Sequence, residues 1–216
     1  TLVDVAKTKG VERIKARDLR SFFEDHYRPP NMCVVACGHV SAEDVVSWTE
    51  RTFDALSPSK VQDRRSPPVP KSCTRVFPRK GDQAYVELGF PGLPGRHPAR
   101  KALTVACIIL GGGTSSRLYQ TVREEQGLVY HISTFPQSYT DCGMVDTFFS
   151  ASIGNLDLVM KTLAKEISSF KDQGPTEDEV RRAKGWIKGM LVRKLESTDS
   201  RLHWQGEHYM LNRDIA

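Results

Sequence analysis

The segment LGGGTSSRLYQTVREEQGLVY, Leu110 to Tyr130, gathers three consecutive glycines, two serines and the charged run Arg123-Glu124-Glu125. A glycine-rich loop can cradle phosphate, but the nucleotide-hydrolase form needs G-x-x-x-x-G-K-[ST] after a strand, with its lysine reaching the terminal phosphates. No lysine occurs from Gly111 to Tyr130, and the triplet follows a segment patterned as a helix. The dinucleotide spacing G-x-G-x-x-G is missing as well. Both mechanical requirements for a nucleotide site therefore fail. Two readings of the glycines stay open. They turn the chain through positive φ, which glycine adopts cheaply, or they form a side-chain-free run that lets another backbone, such as a bound peptide, come close. Glu124 and Glu125 are consecutive and diverge by about 100° on a helix, so they are a solvated face beside Arg123 rather than a carboxylate dyad.

Other chemically suggestive groups are weaker. Cys33, Cys37 and His39 are close in sequence, but four residues of strand would separate the two sulfurs by roughly 13 Å, too far for one zinc. His203-Trp204-Gln205-Gly206-Glu207-His208 misses the His-x-x-Glu-His spacing by one residue. Five positions turn the two imidazoles apart by roughly 140° on a helix, where four would leave about 40°. A packing or stacking role for Trp204 is the expectation there. The five cysteines are odd in number and irregularly spaced, which suits buried thiols better than a disulfide framework.

The elements that must position these groups follow from periodicity. Leu19, Phe22, Phe23 and His26 recur at helical spacing in KARDLRSFFEDHY, and that face is expected to be core. Arg28-Pro29-Pro30 stops the helix. Met32–Cys37 reads as a buried strand closed by Gly38, and Ser41 caps a helix that faces Val45, Phe53 and Leu56 inward. Between Ser57 and Ser72, four prolines and few large apolar residues mark a linker. Beyond it, CTRVF and DQAYVELGF read as strands, and HPARKALTVACIIL as a helix ended by the glycine triplet. TSSRLYQTVREEQG reads as a short amphipathic helix stopped by Gly127. LVYHISTF and GMVDTFFSAS form a strand pair joined by a polar turn, and the stripe Leu156, Val159, Met160, Leu163, Ile167 marks a helix broken at Gly174-Pro175. Thr176 with Glu179 makes a capping box for the next helix, whose bases follow its acids as the helix dipole favours. DSRLHWQGEHYMLNRD reads as a final helix.

Composition bounds the function. Hydrophobic residues at 39% and charged residues at 26% are those of an ordinary folded protein. The longest apolar stretch, Ala102 to Leu110, falls well short of the roughly 20 residues of a membrane span. The net charge of +5 is spread through 31 basic and 26 acidic residues, without the single-faced clustering that nucleic acid requires. TLVDVAKTKG has no signal-peptide layout, and without an initiating Met the chain reads as a piece of something longer. No compartment is legible.

In combination, the glycine run, Ser115-Ser116-Arg117-Leu118, an Arg-Glu pair and Gly127-Leu128-Val129-Tyr130 resemble the signature of the second half of insulinase/pitrilysin-type zinc metallopeptidases, which include the mitochondrial processing peptidase. HYRPPNMCVVACGHVSAED is similar to that family's Tyr-x-Pro-x-Asn-Met strand and Gly-x-Val turn, and GPTEDEVRRAK to the start of its late helix. The resemblance implies an α+β fold, a mostly antiparallel sheet with helices packed on one face, of the processing-peptidase/LuxS-like metallohydrolase type. Two such domains enclose an extended peptide as a clamshell, and the first carries zinc on His-x-x-Glu-His. This chain has no such motif. HPARKALTVACII stands where the zinc helix would be, with His97 as its one suggestive side chain.

The implied organisation is residues 1–66 as the tail of the first domain, 67–72 as the end of the proline-rich linker, and 73–216 as the second, metal-free domain without its last strand and helix. Met32–Cys37 could then fill the vacant sheet position, within one molecule or by strand exchange in a homodimer. The resemblance assigns Gly111, Gly112, Gly113, Ser116, Arg117 and Tyr130 to substrate contact, and no catalytic or metal-binding residue to this chain. Zinc is expected in the other half of the parent protein or in a partner, and the chain alone is expected to be inactive. The reading is the substrate-enclosing part of a zinc endopeptidase acting on peptides or unfolded segments. The alternatives are a non-catalytic scaffold like the core proteins of respiratory complexes, and a generic peptide-binding module.

Overall fold

The computed structural model describes residues 11–59 and 66–212. The beginning of the chain and the middle of the expected linker, residues 60–65, lie outside the described residues, as does the end of the last expected helix. The chain divides into two compact units, one of residues 1–65 with 195–216 and the other of residues 66–194. The final helix thus groups with the N-terminal segment, a pairing not suggested by the sequence.

In the first unit, α1 (Ala16–His26) and α2 (Ala42–Phe53) form where periodicity places them. Ser41 Oγ accepts the Asp44 amide and caps α2. α6 (Thr198–Asn212) completes the unit. Two expectations fail here. The face Leu19, Phe22, Phe23 is not core: these side chains are 63%, 57% and 47% exposed. None of the described residues of this unit is buried, so spacing gave the helix correctly but could not supply a surface to cover it. The aromatics stack on one another instead, Phe22 on His26 at 4.3 Å and Phe23 on Tyr27 at 4.6 Å between centroids. Met32–Cys37 is not a buried strand either. It joins no ladder among the described residues and is at most half-buried.

The second unit holds the core. β1 (Gln83–Pro91), β2 (Val129–Ser138) and β3 (Gly143–Ser152) make an antiparallel sheet ordered β1-β3-β2. CTRVF, expected as a strand, stays outside it, with Val76 82% and Phe77 73% exposed. Its apolar residues have no neighbouring strand to pair with. β2 runs through Pro136, which an edge strand tolerates because its missing N–H faces away from the ladder.

Helices cover one face of the sheet: α3 (Arg100–Gly111) against β2, and α4 (Leu156–Gln173) against β3. α5 (Glu177–Lys194) packs on α3. The core unites Leu118, Val122, Ile132, Phe149, Val159 and Leu163. Each such large side chain contributes roughly 1.5–3 kcal/mol by leaving water. Alternation along β3 sends Phe149 and Thr147 into that core and Asp146, Phe148 and Ser150 to the opposite face. Residues Tyr119–Glu125 wind as a π-helix rather than the expected α-helix, while Leu118 and Val122 still share the buried side.

Candidate functional site

The residues assigned to substrate contact do not converge on one cavity. Gly111 is buried, and a Cβ there would overlap the Thr134 side chain on β2 and approach its amide nitrogen at 2.9 Å. Gly112, the C-cap of α3, has φ −85°, and a Cβ would meet Ile108 Cα at 2.6 Å. Neither has positive φ, whereas Gly127 and Gly174 do. The triplet thus lets a helix end press on its own strand and its own preceding turn. Gly111 and Gly112 thus lie close to backbone of this same chain. Gly113 is different, with only Trp186 Nε1 at 3.7 Å from a Cβ position. It faces a crevice of about 20 Å³, room for a single water.

Ser116 and Arg117 are also committed internally. Ser116 Oγ donates to the Gly113 carbonyl at 2.6 Å. Arg117 grips Glu179 with Nε at 2.6 Å and Nη2 at 2.8 Å, donates to the Gly174 carbonyl at 2.9 Å, and lies 5.0 Å over the Phe170 ring. The guanidinium holds the Glu179 carboxyl at a pKa of about 2, helped by the Thr176 amide and hydroxyl of the capping box. This pair fastens the segment after the glycine loop to the start of α5, so the Arg117 guanidinium is occupied. Tyr130 alone of the assigned residues is open, 83% exposed, at the bulge between Val129 and His131 on β2. Its ring lies 5.4 Å from the Arg123 guanidinium.

The other suggestive groups resolve into structure. His97 Nδ1 accepts the Ala99 amide at 3.1 Å at the entry to α3. His203 approaches Asp199 at 3.7 Å while His208 packs on Trp204 at 4.2 Å, so the two histidines serve different neighbours. All five cysteines are free, and only Cys107 is buried, its thiol pushed up to about 11 by desolvation.

What the structure does gather is the helix-free face of the sheet. Registers Tyr85↔Ser150, Glu87↔Phe148 and Gly89↔Asp146 join β1 to β3, and His131↔Ser150, Ser133↔Phe148 and Phe135↔Asp146 join β2 to β3. Tyr85 stacks on Phe148 at 6.4 Å between centroids, and His131 tilts against the same ring at 5.8 Å. Tyr85 is 74% and Phe135 40% exposed. Sequence reading missed this surface because it is assembled from three strands, although the alternation in DQAYVELGF carried one third of it.

A family model described as the peptidase M16 inactive domain matches residues 13–185. The chain belongs to that family. It is 32% identical over 206 residues to an uncharacterized zinc protease of Streptomyces coelicolor, covering 91% of this chain and 45% of that protein. To the uncharacterized zinc protease YmxG of Bacillus subtilis it is 31% identical over 198 residues, 89% of this chain and 47% of that protein. The chain thus spans about half the length of these relatives. The crystal structure of a peptidase M16 inactive domain from Pseudomonas fluorescens superposes with a TM-score of 0.84 at 21% identity, over 96% of this chain and 50% of that one. A chain of complex III2 from Candida albicans shares the fold too, at a TM-score of 0.76 and 19% identity, covering 96% of this chain and 51% of that chain.

The relatives' names imply zinc, and the donor set of this M16 chain does not fit it. Among the described residues no three His, Cys, Asp or Glu side chains come together to hold a metal ion. Nor is any described helix long and apolar enough to cross a membrane.

Proposed function

We propose that this M16 chain is the metal-free wall of a peptide-enclosing chamber in a zinc-dependent endopeptidase, with the metal and the general base on residues outside it. The observation that carries the proposal is the helix-free sheet face, where Tyr85, His131, Phe135 and Phe148 present aromatic surface around a polar strand. An extended peptide suits such a face, since exposed aromatics give contact area at little entropic cost. The family match and the naming of its relatives support the same reading.

The scaffold reading has one observation in its favour: most of the residues expected to contact substrate are occupied internally, Arg117 above all. Peptide binding separates the two. A fluorescently labelled extended peptide should bind the full chain saturably and, with zinc added, remain intact by mass spectrometry. Tyr85→Ala should weaken binding about tenfold, equivalent to about 1.4 kcal/mol. A chain that binds no peptide favours the scaffold, and zinc-dependent cleavage by the chain alone would overturn the placement of the metal.

A further inference from the structure

Met32–Cys37 runs as Met-Cys-Val-Val-Ala-Cys, six uncharged residues with neither proline nor glycine. Exposed strand edges are normally blunted by charge, proline or a bulge, and this segment has none of these devices. Its side chains alternate as in a strand: Cys33, Val35 and Cys37 are half-buried, whereas Val34 and Ala36 are exposed, Val34 at 42%. The half-buried side lies toward α6 of the same unit, where a Cβ at Gly206 would stand 3.5 Å from Val35 Cγ2. Gly38, at φ +136°, turns the chain beside the start of that helix, its Cβ position 3.8 Å from Thr198 Cγ2. Next to the segment opens a groove of about 480 Å³, lined by Met32–Ala36 with Gln205 and Tyr209 of α6. Among the described residues, no backbone–backbone hydrogen bond involves Cys33–Cys37. The segment thus has one face against a helix, amide and carbonyl groups without a ladder, and room alongside.

We propose that Met32–Cys37 is a pairing edge for the same segment of a second copy of this chain, in an antiparallel ribbon with a two-fold axis at Val35. That axis sets Cys33 against Cys37 of the second copy, Val34 against its Ala36, and Val35 against its own counterpart. Residues directly opposite in antiparallel strands point to one face. Both α6 helices therefore cover the same side of the ribbon, and both Val34–Ala36 pairs lie on the other. The next pairs outward are Met32 with Gly38 and Asn31 with His39, so no like charges meet. This self-complementarity selects a second copy over an unrelated strand, as an isologous interface requires. A bare two-stranded ribbon is marginal in water, and the layer of two helices is what makes it stable. The proposal concerns the first unit alone and is independent of the peptide-wall reading.

Sedimentation velocity of the full chain should show a dimer whose share rises with concentration over about 1–100 µM. Val34→Lys combined with Ala36→Lys sets ammonium groups directly opposite one another on the exposed side, and should weaken association at least about tenfold. Val34→Glu combined with Ala36→Glu should do the same with carboxylates. Mixing the two variants should restore the dimer, now between unlike chains. Oxidation of the unsubstituted chain by diamide, which takes up the two protons and two electrons released by each thiol pair, should join Cys33 to Cys37 of the second copy. Mass spectrometry of the digested dimer maps that disulfide, and its result stands whether or not the variants fold. A chain that stays monomeric to about 100 µM overturns the proposal. A dimer that both variants leave intact assigns association to another surface and overturns it too. Variants that do not reassociate on mixing, or a dimer without the Cys33–Cys37 link, overturn the register and the proposal with it.

Discussion

Arg117 illustrates how a motif residue can be conspicuous in sequence and spent in structure. The capping box of Thr176 with Glu179 was legible from spacing alone, because its partners are three residues apart. That the same Glu179 also receives Arg117, 62 positions away, was not, since only the fold brings them together. Their side chains are 17% and 14% exposed, so the pair is partly dry. Glu179→Gln removes the counter-charge and leaves Arg117 with the Gly174 carbonyl and the Phe170 ring. Denaturant unfolding should show a loss of about 2–3 kcal/mol at neutral pH. The pH dependence has a fixed sign. The folded-state value of about 2 lies below the ordinary 4.5, so the contribution is complete above about 4.5 and lost as pH falls through that window. The variant's stability should therefore fall less steeply on acidification than that of the unsubstituted chain.

At the scale of elements, periodicity identified six helices and the strands β1, β2 and β3 with boundaries close to those observed. It failed where a pattern needs a partner that spacing cannot name. Leu19, Phe22 and Phe23 define a helical face without a surface to cover it, and Met32–Cys37 is extended without a ladder. The π winding of Tyr119–Glu125 was equally invisible, because Leu118 and Val122 lie one turn apart in either helix. The glycine triplet belongs to this scale as well, as the device that seats α3 on β2. Gly111→Ala should cost about 1–3 kcal/mol by forcing a methyl into Thr134, whereas Gly113→Ala, with nothing nearer than 3.7 Å, should stay within about 0.5 kcal/mol. Thermal unfolding of the two variants reads the difference. Equal and small effects would mean that the triplet is not held by close packing.

For the whole molecule, fold and family were readable from an ordered set of short motifs, while the helix-free sheet face proposed to meet a peptide was not. The motifs cluster at turns, caps and close approaches, which are local and leave marks at fixed spacing. The sheet face joins Tyr85, Phe148 and His131 from three separated segments, and Asp146 showed only as a lone charge in an apolar strand. Each compact unit has its own organisation, and among the described residues every buried side chain of the core lies within residues 66–194. The proposed function requires that an extended peptide lie on the helix-free face of this sheet. Photo-crosslinking with a peptide carrying a benzophenone side chain tests it most directly. Adducts are expected at Tyr85, Phe135, Met144 or Phe148; adducts confined to α4 and α5, on the opposite side of the sheet, would contradict a peptide on this face.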